Sequence, residues 1–322
     1  MRTIQGSAGL APDRFRRPVV TIGVFDGVHR GHRAVLARTR ELAARSGGEV
    51  VVLTFDRHPR AVTEGRAPAE ITSPAHRLHL LAREGVDTTI VLHFDDELRE
   101  MQAERFVDDI LLARIGVRGV VVGHDTHFGH HRGGSFELLR ERLAPLGVPV
   151  ERMEPVRLSD GTIVSSSAIR AAVARGDLDA AERLLGRAPA LFGEVVRGDG
   201  RGKDLGFPTA NLDLAGELHP NRGVYGAAVE IDGRTWPAVV NIGGRPTFHA
   251  AGTETVEVHV LDWTGDLYGR VLEVFLLGKL RDEQRFDGPA ALRAQIARDV
   301  ASARERIATG AWRLDRPGWA RP

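Results

Sequence analysis

Residues 18–32 read PVVTIGVFDGVHRGH, a strand running into a turn and a helix start. Its first part, residues 18–25, is a short and almost continuous apolar run rich in β-branched side chains. Runs of that kind describe a strand buried on both faces. Residues 23–32, GVFDGVHRGH, supply turn chemistry leading into a helix. Asp26-Gly27 turns the chain sharply, and Gly31 lets backbone approach a ligand without a side chain in the way. The helix is expected to begin near His32, where its free N–H groups and positive dipole end suit a phosphate. His29 and His32 flank that end and are placed to donate hydrogen bonds to phosphate oxygens during phosphoryl or nucleotidyl transfer. Taken alone, the H-x-G-H string fits equally a strand–turn–helix with two incidental surface histidines.

Outward from this stretch, apolar runs at 49–55, 88–94 and 118–123 alternate with helix-like stretches at 34–45, 74–84 and 103–115. The second stretch has Ser73 as N-cap, Pro74 at its first position and Gly85 as its stop. Strands alternating with helices predict a parallel sheet covered on both faces, with ligands beyond the carboxyl ends of the strands. Helical patterns follow at 166–175 and 178–185, then Gly186 and Pro189 break the chain. The domain boundary is expected near residue 188, giving domains 1–187 and 188–322. Beyond it, short alternating strands replace strand–helix units. Residues 225–231, Asp232-Gly233 and 234–242 read as a hairpin with a two-residue turn. Runs at 255–261 and 271–277 continue the β pattern. The expected solution is a mainly antiparallel β-barrel, with a C-terminal helix at about 289–307 covering one end.

The 322 residues suit two domains of ordinary size, and 42% hydrophobic with 27% charged residues is a globular balance. A formal net charge of +1 gives no global field to recruit nucleic acid or an anionic membrane. Of the 44 basic residues, only Lys203 and Lys279 are lysines, so a lysine kept in a glycine-rich loop is notable. Cysteine is absent, which excludes disulfides, thiolate catalysis and cysteine-bound zinc. No apolar run approaches the roughly 20 residues of a membrane span, and the first residues lack the apolar stretch of a secretory signal. A cytoplasmic location is expected.

Four further segments are candidates for chemistry. Residues 164–170, VSSSAIR, place Ser165, Ser166 and Ser167 at a helix start, with hydroxyls and N–H groups for a phosphate and Arg170 one turn in as a fixed cation. The same serines also read as an N-cap with surplus hydroxyls. Residues 198–211, GDGRGKDLGFPTAN, do not form a Walker A loop, because Gly202-Lys203 is followed by Asp204. Gly198, Gly200, Gly202 and Gly206 nevertheless make a pliable loop able to wrap a triphosphate, with Lys203 as a point charge. Thr209 and Asn211 then offer hard oxygens appropriate to Mg²⁺. The alternative is a long turn between barrel strands. In residues 255–261, TVEVHVL, alternation puts Val256, Val258 and Val260 on one face and Glu257 and His259 on the other. A glutamate held there can take a proton from an alcohol attacking ATP. Finally, His124, His127, His130 and His131 share a glycine-flanked loop, read either as exposed histidines or as a divalent-metal site.

These segments together resemble the bifunctional riboflavin kinase/FMN adenylyltransferases, the prokaryotic FAD synthetases, over essentially the whole chain. Gly23, Phe25, Asp26, Gly27, His29, Gly31 and His32 match that family's G-x-FDG-x-H-x-GH segment. Ser165, Ser166, Ile169 and Arg170 match its I-SST-x-IR segment, and Thr54, Phe55, His58 and Pro59 resemble a third element. GRGKDLGFPTAN, Gly223-Val224-Tyr225, VNIGGRPTF at 240–248 and Leu267-Tyr268-Gly269 resemble the kinase module in order and spacing.

The resemblance implies a Rossmann-like nucleotidyltransferase domain followed by a riboflavin kinase barrel. It implies that riboflavin is phosphorylated to FMN with MgATP, and that FMN is adenylylated by a second ATP to FAD with release of pyrophosphate. By the same resemblance Glu257 is the base for the ribityl 5′-hydroxyl, and Thr209 and Asn211 position Mg²⁺ and phosphates. Nucleotide contacts fall to Gly23, Phe25, Asp26, Gly31, Gly123, Asp125 and the serine segment, and Asn241 and Arg245 lie in a matching segment without an assigned role. Where the family usually reads G-x-DFRFG, residues 123–129 read GHDTHFG. Thr126 and His127 therefore raise a second reading, a riboflavin kinase whose first module binds flavin but no longer transfers adenylate. An RNA-binding protein on the same fold is a third reading, without an RNP-like motif behind it. The sequence leaves the oligomeric state open.

Overall fold

The computed structural model describes residues 1–198, 200–244 and 254–314, without the side chains of Arg201 and Lys203. The chain divides into two compact units, Met1–Ser166 and Ser167–Pro322.

Six parallel strands form the first unit's sheet: β1 (Arg2–Gln5), β2 (Val19–Ile22), β3 (Val50–Phe55), β4 (Thr88–Leu92), β5 (Gly119–Gly123) and β6 (Val150–Met153). Their order is β1-β4-β3-β2-β5-β6. The four strands read from sequence are the inner ones. β1 and β6 lie at the two edges, and their residues, RTIQ and VERM, are mostly half-buried or exposed. An edge strand has less apolar surface to bury, so its sequence lacks the run that betrays an inner strand. Val20, Leu53, Ile90 and Val120 from the inner strands share one core with Leu111 and Leu139 of the covering helices. From β2 the chain proceeds to β3 and β4 on one side, then returns to β5 on the other. The strand order thus reverses between β2 and β5, which is where open parallel sheets hold their ligands.

The helix expected near His32 starts earlier, over Arg30–Ser46, with His29 as its N-cap. The helix Pro74–Arg83 is capped by Ser73, whose hydroxyl accepts from the His76 N–H at 3.2 Å. The third helical stretch runs from Ala103–Arg105 into a wider π-helical segment, Phe106–Ile115.

In the second unit, β7 (Ala190–Val196), β8 (Ala210–Asp213), β9 (Gly223–Ile231), β10 (Arg234–Gly244), β11 (Glu254–Val260) and β12 (Val271–Arg281) close into an antiparallel barrel. Its order is β10-β11-β8-β7-β12-β9. Leu191, Leu212, Tyr225, Val240, Val258 and Val274 fill the interior. The β9–β10 turn is Asp232-Gly233, with φ of 52° and 75°, the left-handed pair that a type I′ hairpin requires. The sequence pattern changes near residue 188, but the helices Ser166–Ala174 and Leu178–Leu185 fall largely within the second unit. Leu178 belongs to the barrel's core cluster.

The C-terminal helix, Pro289–Ala308, was expected to cover one end of the barrel. It packs instead on the outer wall, where Val300 and Ala303 meet Val224, Val239 and Leu280. Val224 alternates with the inward Tyr225, so this contact is outside the interior. Asp299, 5% exposed, ties the helix to β12 by accepting from Arg281 Nε at 3.0 Å and Nη2 at 2.8 Å. On the same wall Gly226 and Gly278 are paired across β9 and β12, and Trp312 lies over both. A Cβ on Gly226 would stand 1.9 Å from the indole, and one on Gly278 2.8 Å from its Nε1.

Candidate active sites

In the first unit, the turn after β2 is wound tightly. Phe25 (φ 55°), Gly27 (φ 83°) and Val28 (φ 37°) all take left-handed conformations, which non-glycine residues hold only where neighbours enforce them. Asp26 is 4% exposed. Its carboxylate Oδ1 accepts from the Thr72 N–H at 3.0 Å and the Thr72 hydroxyl at 3.3 Å. The Val24 carbonyl accepts from Arg77 Nη1 at 2.7 Å and from the Thr54 hydroxyl at 3.2 Å.

Past the turn, the His32 N–H donates to His29 Nδ1 at 3.3 Å. The two imidazoles stack with centroids 3.6 Å apart and planes 14° apart, and the Phe25 ring sits 5.0 Å from that of His32. With Nδ1 accepting, the neutral His29 ring carries its proton on Nε2. A Cβ on Gly31 would lie 3.1 Å from the His29 ring, so glycine keeps this helix start open. The Ser166 hydroxyl donates to the Asp26 carbonyl at 3.1 Å. Within the first unit, then, Gly23, Phe25, Asp26, His29, Gly31, His32 and Ser166 form one constellation. Ser167 and Arg170 belong to the second unit.

The neighbouring loops lie at the same carboxyl edge. Thr21 pairs with Val121 in the parallel β2–β5 register, which carries Gly123 beside Gly23. Asp125 is strongly exposed and Thr126 half-buried, while Phe128 is buried against Phe106, with ring centroids 5.2 Å apart. After β3 and β4, Asp56 Oδ1 accepts from the Phe94 N–H at 3.0 Å and Oδ2 pairs with His93. Burial pushes the Asp56 carboxyl up, but the Phe94 N–H, His93 and Arg57 outweigh it and hold it below the ordinary aspartate value. Burial likewise lowers the Arg77 guanidinium, against Glu70, Asp26 and Asp56. His124 through His131 do not converge on a metal: among the described residues no group of three or more histidine or carboxylate side chains could hold one.

In the second unit the expected kinase residues meet on the outer face of the barrel. β11 alternates as read, with Val256, Val258 and Val260 buried and Glu257 and His259 half-buried on the other face. Glu257 stands opposite Asn211 of β8 and, on its other side, opposite Asn241 of β10. Directly opposed residues hold their Cβ atoms about 5 Å apart. A Cβ on Gly198 would lie 2.1 Å from Asn211 Nδ2, and one on Gly202 would lie 2.5 Å from the Phe207 carbonyl and 2.9 Å from Thr209 Oγ1. Glycine is thus required at both positions for the loop to close over Thr209 and Asn211. The loop is less extended than expected, since Arg201–Asp204 forms a short helical turn and Gly200 (φ 73°) bends the chain before it. The Lys203 side chain, Asp199 and Arg245 lie outside the described residues.

Sequence reading places His259 on the face of Glu257 without a role; its Nδ1 donates to the Pro208 carbonyl at 2.8 Å and its ring meets Phe207 edge-on at 5.5 Å. This histidine anchors the segment carrying Thr209 to β11. Thr72 and Arg77 are the residues that sequence reading does not single out. Nothing local signals them, because the segment they touch is some 45 residues away in the chain.

Comparison with known proteins finds two families in succession along the chain. A sequence-family model for FAD synthetase matches residues 12–168, and one for riboflavin kinase matches residues 185–307. The chain is 45% identical over 314 residues to a bifunctional riboflavin kinase/FMN adenylyltransferase of Pseudomonas fluorescens, covering 97% of this chain and 100% of that one. To the protein of that name from Escherichia coli K12 it is 40% identical over 309 residues, covering 95% and 97%. A crystal structure from Streptococcus pneumoniae, described as a macrolide-efflux protein, matches with a TM-score of 0.81 at 30% identity, covering 94% of this chain and 99% of that one. Among the described residues of this chain no helix is long and apolar enough to cross a membrane. With both family models in order along one chain, and kinship over nearly its full length, the chain belongs to the bifunctional riboflavin kinase/FMN adenylyltransferase family.

Proposed function

We infer that the chain makes both flavin cofactors. It phosphorylates riboflavin with ATP to FMN, and it joins FMN to the adenylyl group of a second ATP, giving FAD and pyrophosphate. The observation that carries this reading is that each unit holds its own cradle: stacked His29 and His32 beside Gly31 in one, and Glu257 opposite Asn211 in the other. We assign adenylyl transfer to residues 1–187 and the kinase to 188–322, a division that the family ranges ending at 168 and beginning at 185 support.

In the kinase step Glu257 takes the proton from the ribityl 5′-hydroxyl as that oxygen attacks the γ-phosphorus of ATP, and ADP leaves. Thr209 and Asn211 would hold Mg²⁺. Their hydroxyl and amide oxygens are hard donors beside a carboxylate, under a loop whose glycines keep the space open. When bound, the ion would neutralise charge on the phosphates. Gly200, Gly202 and Lys203 are assigned to the triphosphate.

In the adenylyl step a phosphate oxygen of FMN attacks the α-phosphorus, and the bond to the bridging oxygen breaks to release pyrophosphate. The nucleophile is already anionic, so no base is needed. His29 and His32 donate hydrogen bonds to the oxygens that gain charge, and Arg170 supplies a fixed cation. Gly23, Phe25, Asp26, Gly31, Gly123, Asp125, Ser165, Ser166 and Ser167 are assigned to the nucleotide. The kinase-only reading raised by Thr126 and His127 gains no support from the first unit, where the histidine pair and its glycine are intact. The assigned partners are riboflavin, FMN, FAD and ATP, with neither nucleic acid nor membrane. The cytoplasm is the proposed location, in keeping with a chain that has no cysteine to oxidise.

Incubation of the full chain with riboflavin, ATP and Mg²⁺ tests this, with products separated by chromatography. FMN, FAD and pyrophosphate are expected. FMN without FAD, even when FMN is supplied, would leave only the kinase.

A further inference from the structure

Within four residues, the turn between β2 and its helix makes three demands on the backbone: left-handed Phe25, left-handed Gly27 and left-handed Val28. Val28 is β-branched, and such a residue keeps a positive φ only when its surroundings leave no alternative. Besides Thr54 and Ser166, which bond the Val24 and Asp26 carbonyls, residues 71–77 supply much of that enforcement. Ile71 packs over Gly27, where an added Cβ would meet its side chain at 3.1 Å. The Thr72 hydroxyl accepts from the Gly27 N–H at 2.9 Å and donates to Asp26 Oδ1 at 3.3 Å, so both its proton and a lone pair are used. The Thr72 N–H donates to the same oxygen at 3.0 Å. One turn into the helix that follows, Arg77, 2% exposed, donates to the Val24 carbonyl at 2.7 Å. Four hydrogen bonds therefore run from residues 72 and 77 to Val24, Asp26 and Gly27, behind the histidine pair.

We propose that Thr72 and Arg77 are positioning residues for adenylyl transfer, bracing the turn so that His29 and His32 meet the phosphates in register. Neither touches a reacting atom on this view. Arg77 holds the entry to the turn, and Thr72 fixes its apex through a hydroxyl whose direction is set by two partners. The proposal rests on the adenylyl-transfer reading given above, and the barrel's own reaction serves as the control within one polypeptide.

The test compares Thr72→Val, which keeps the shape and loses the hydroxyl, with Thr72→Ser, which keeps the hydroxyl. In the full chain, Thr72→Val should lower kcat for FAD formation from FMN about tenfold to a hundredfold, the range of a misplaced catalytic group. KM for ATP should change less, and FMN formation from riboflavin should stay within about twofold. Thr72→Ser should restore FAD formation to within about threefold of the parent. Amide exchange followed by mass spectrometry should show faster exchange across residues 24–28 in Thr72→Val and not in Thr72→Ser. Wild-type kcat in Thr72→Val, equal loss in both variants, unchanged exchange, or loss of both activities in Thr72→Val would each overturn the brace. A parent chain that forms no FAD would instead defeat the adenylyl-transfer reading, and the exchange comparison would still decide the brace.

Discussion

Glu257 on β11 and Asn211 on β8 stand directly opposite each other on the outer face of the barrel, with Asn241 of β10 in the same row. The row sets a carboxylate between two carboxamides, on strands whose opposite faces are locked into the core by Leu212, Val256, Val258, Val240 and Ile242. A carboxylate carried this way does not depend on a loop for its position, while the groups proposed to meet the phosphates do. The contrast between rigid strand and closing loop organises the kinase half.

Glu257→Gln should abolish proton acceptance without disturbing the strand. FMN formation should fall about a hundredfold or more, the usual range for a general base, while FAD formation from supplied FMN stays at the parent rate. Parallel assays of the two half-reactions on one preparation check this. Loss of both would refute the modular assignment.

His29→Ala should have the opposite effect. It removes both the stacked ring and the acceptor for the His32 N–H. FAD formation should fall about a hundredfold, and loss of the N-cap should cost about 1 kcal/mol of stability. Rate assays and thermal melting read the two effects separately, with FMN formation unchanged.

Gly198→Ala places a methyl group where Asn211 Nδ2 now lies, 2.1 Å from the new Cβ. The amide must swing away, so the kinase kcat should drop at least about tenfold with FAD formation intact. Steady-state kinetics with riboflavin as substrate suffice to see it.

Gly226→Ala drives a methyl group into the Trp312 indole. The ring also packs under Arg306, whose guanidinium is 4.9 Å from its centroid. Overpacking of this kind costs about 1–3 kcal/mol, seen as a lower Tm. Once Trp312→Ala has emptied the slot, adding Gly226→Ala should cost little, so the double mutant should be clearly non-additive.

Asp56 gives a pH dependence with a definite sign. Its carboxyl is held below the ordinary value of 3.8, the Phe94 N–H, His93 and Arg57 outweighing burial. A depressed carboxylate adds stability that is complete above the unfolded-state value and vanishes as pH falls through the folded value. Asp56→Asn should therefore lower Tm near about pH 7 and make little difference near about pH 2. A Tm gap that widens toward acid would contradict the geometry around this group.

Much of this was legible in the chain itself. The inner strands of the sheet, the helix capped by Ser73, the Asp232-Gly233 hairpin and the alternation of Glu257 with buried valines all follow from side-chain periods of a few residues. Those periods are local, so the sequence carries them in full. The edge strands β1 and β6 were not legible, because half-exposed segments need no apolar run. The C-terminal helix was legible as a helix but not as a cover for the outer wall, since its partners Val224, Val239 and Leu280 come from three different strands.

The sequence thus determined the two fold classes and which residue types could do chemistry, through turn glycines, apolar spacing and charge. Which of them meet was set by long-range packing. Strand register set Glu257 against Asn211, and closure of the barrel laid Trp312 into a slot of two glycines. Packing of the segment around Thr72 against the turn at Gly27 fixed the cradle. Each is a contact between segments remote in the chain, selected by burial and hydrogen-bond satisfaction over the whole unit, and no local pattern encodes such a choice.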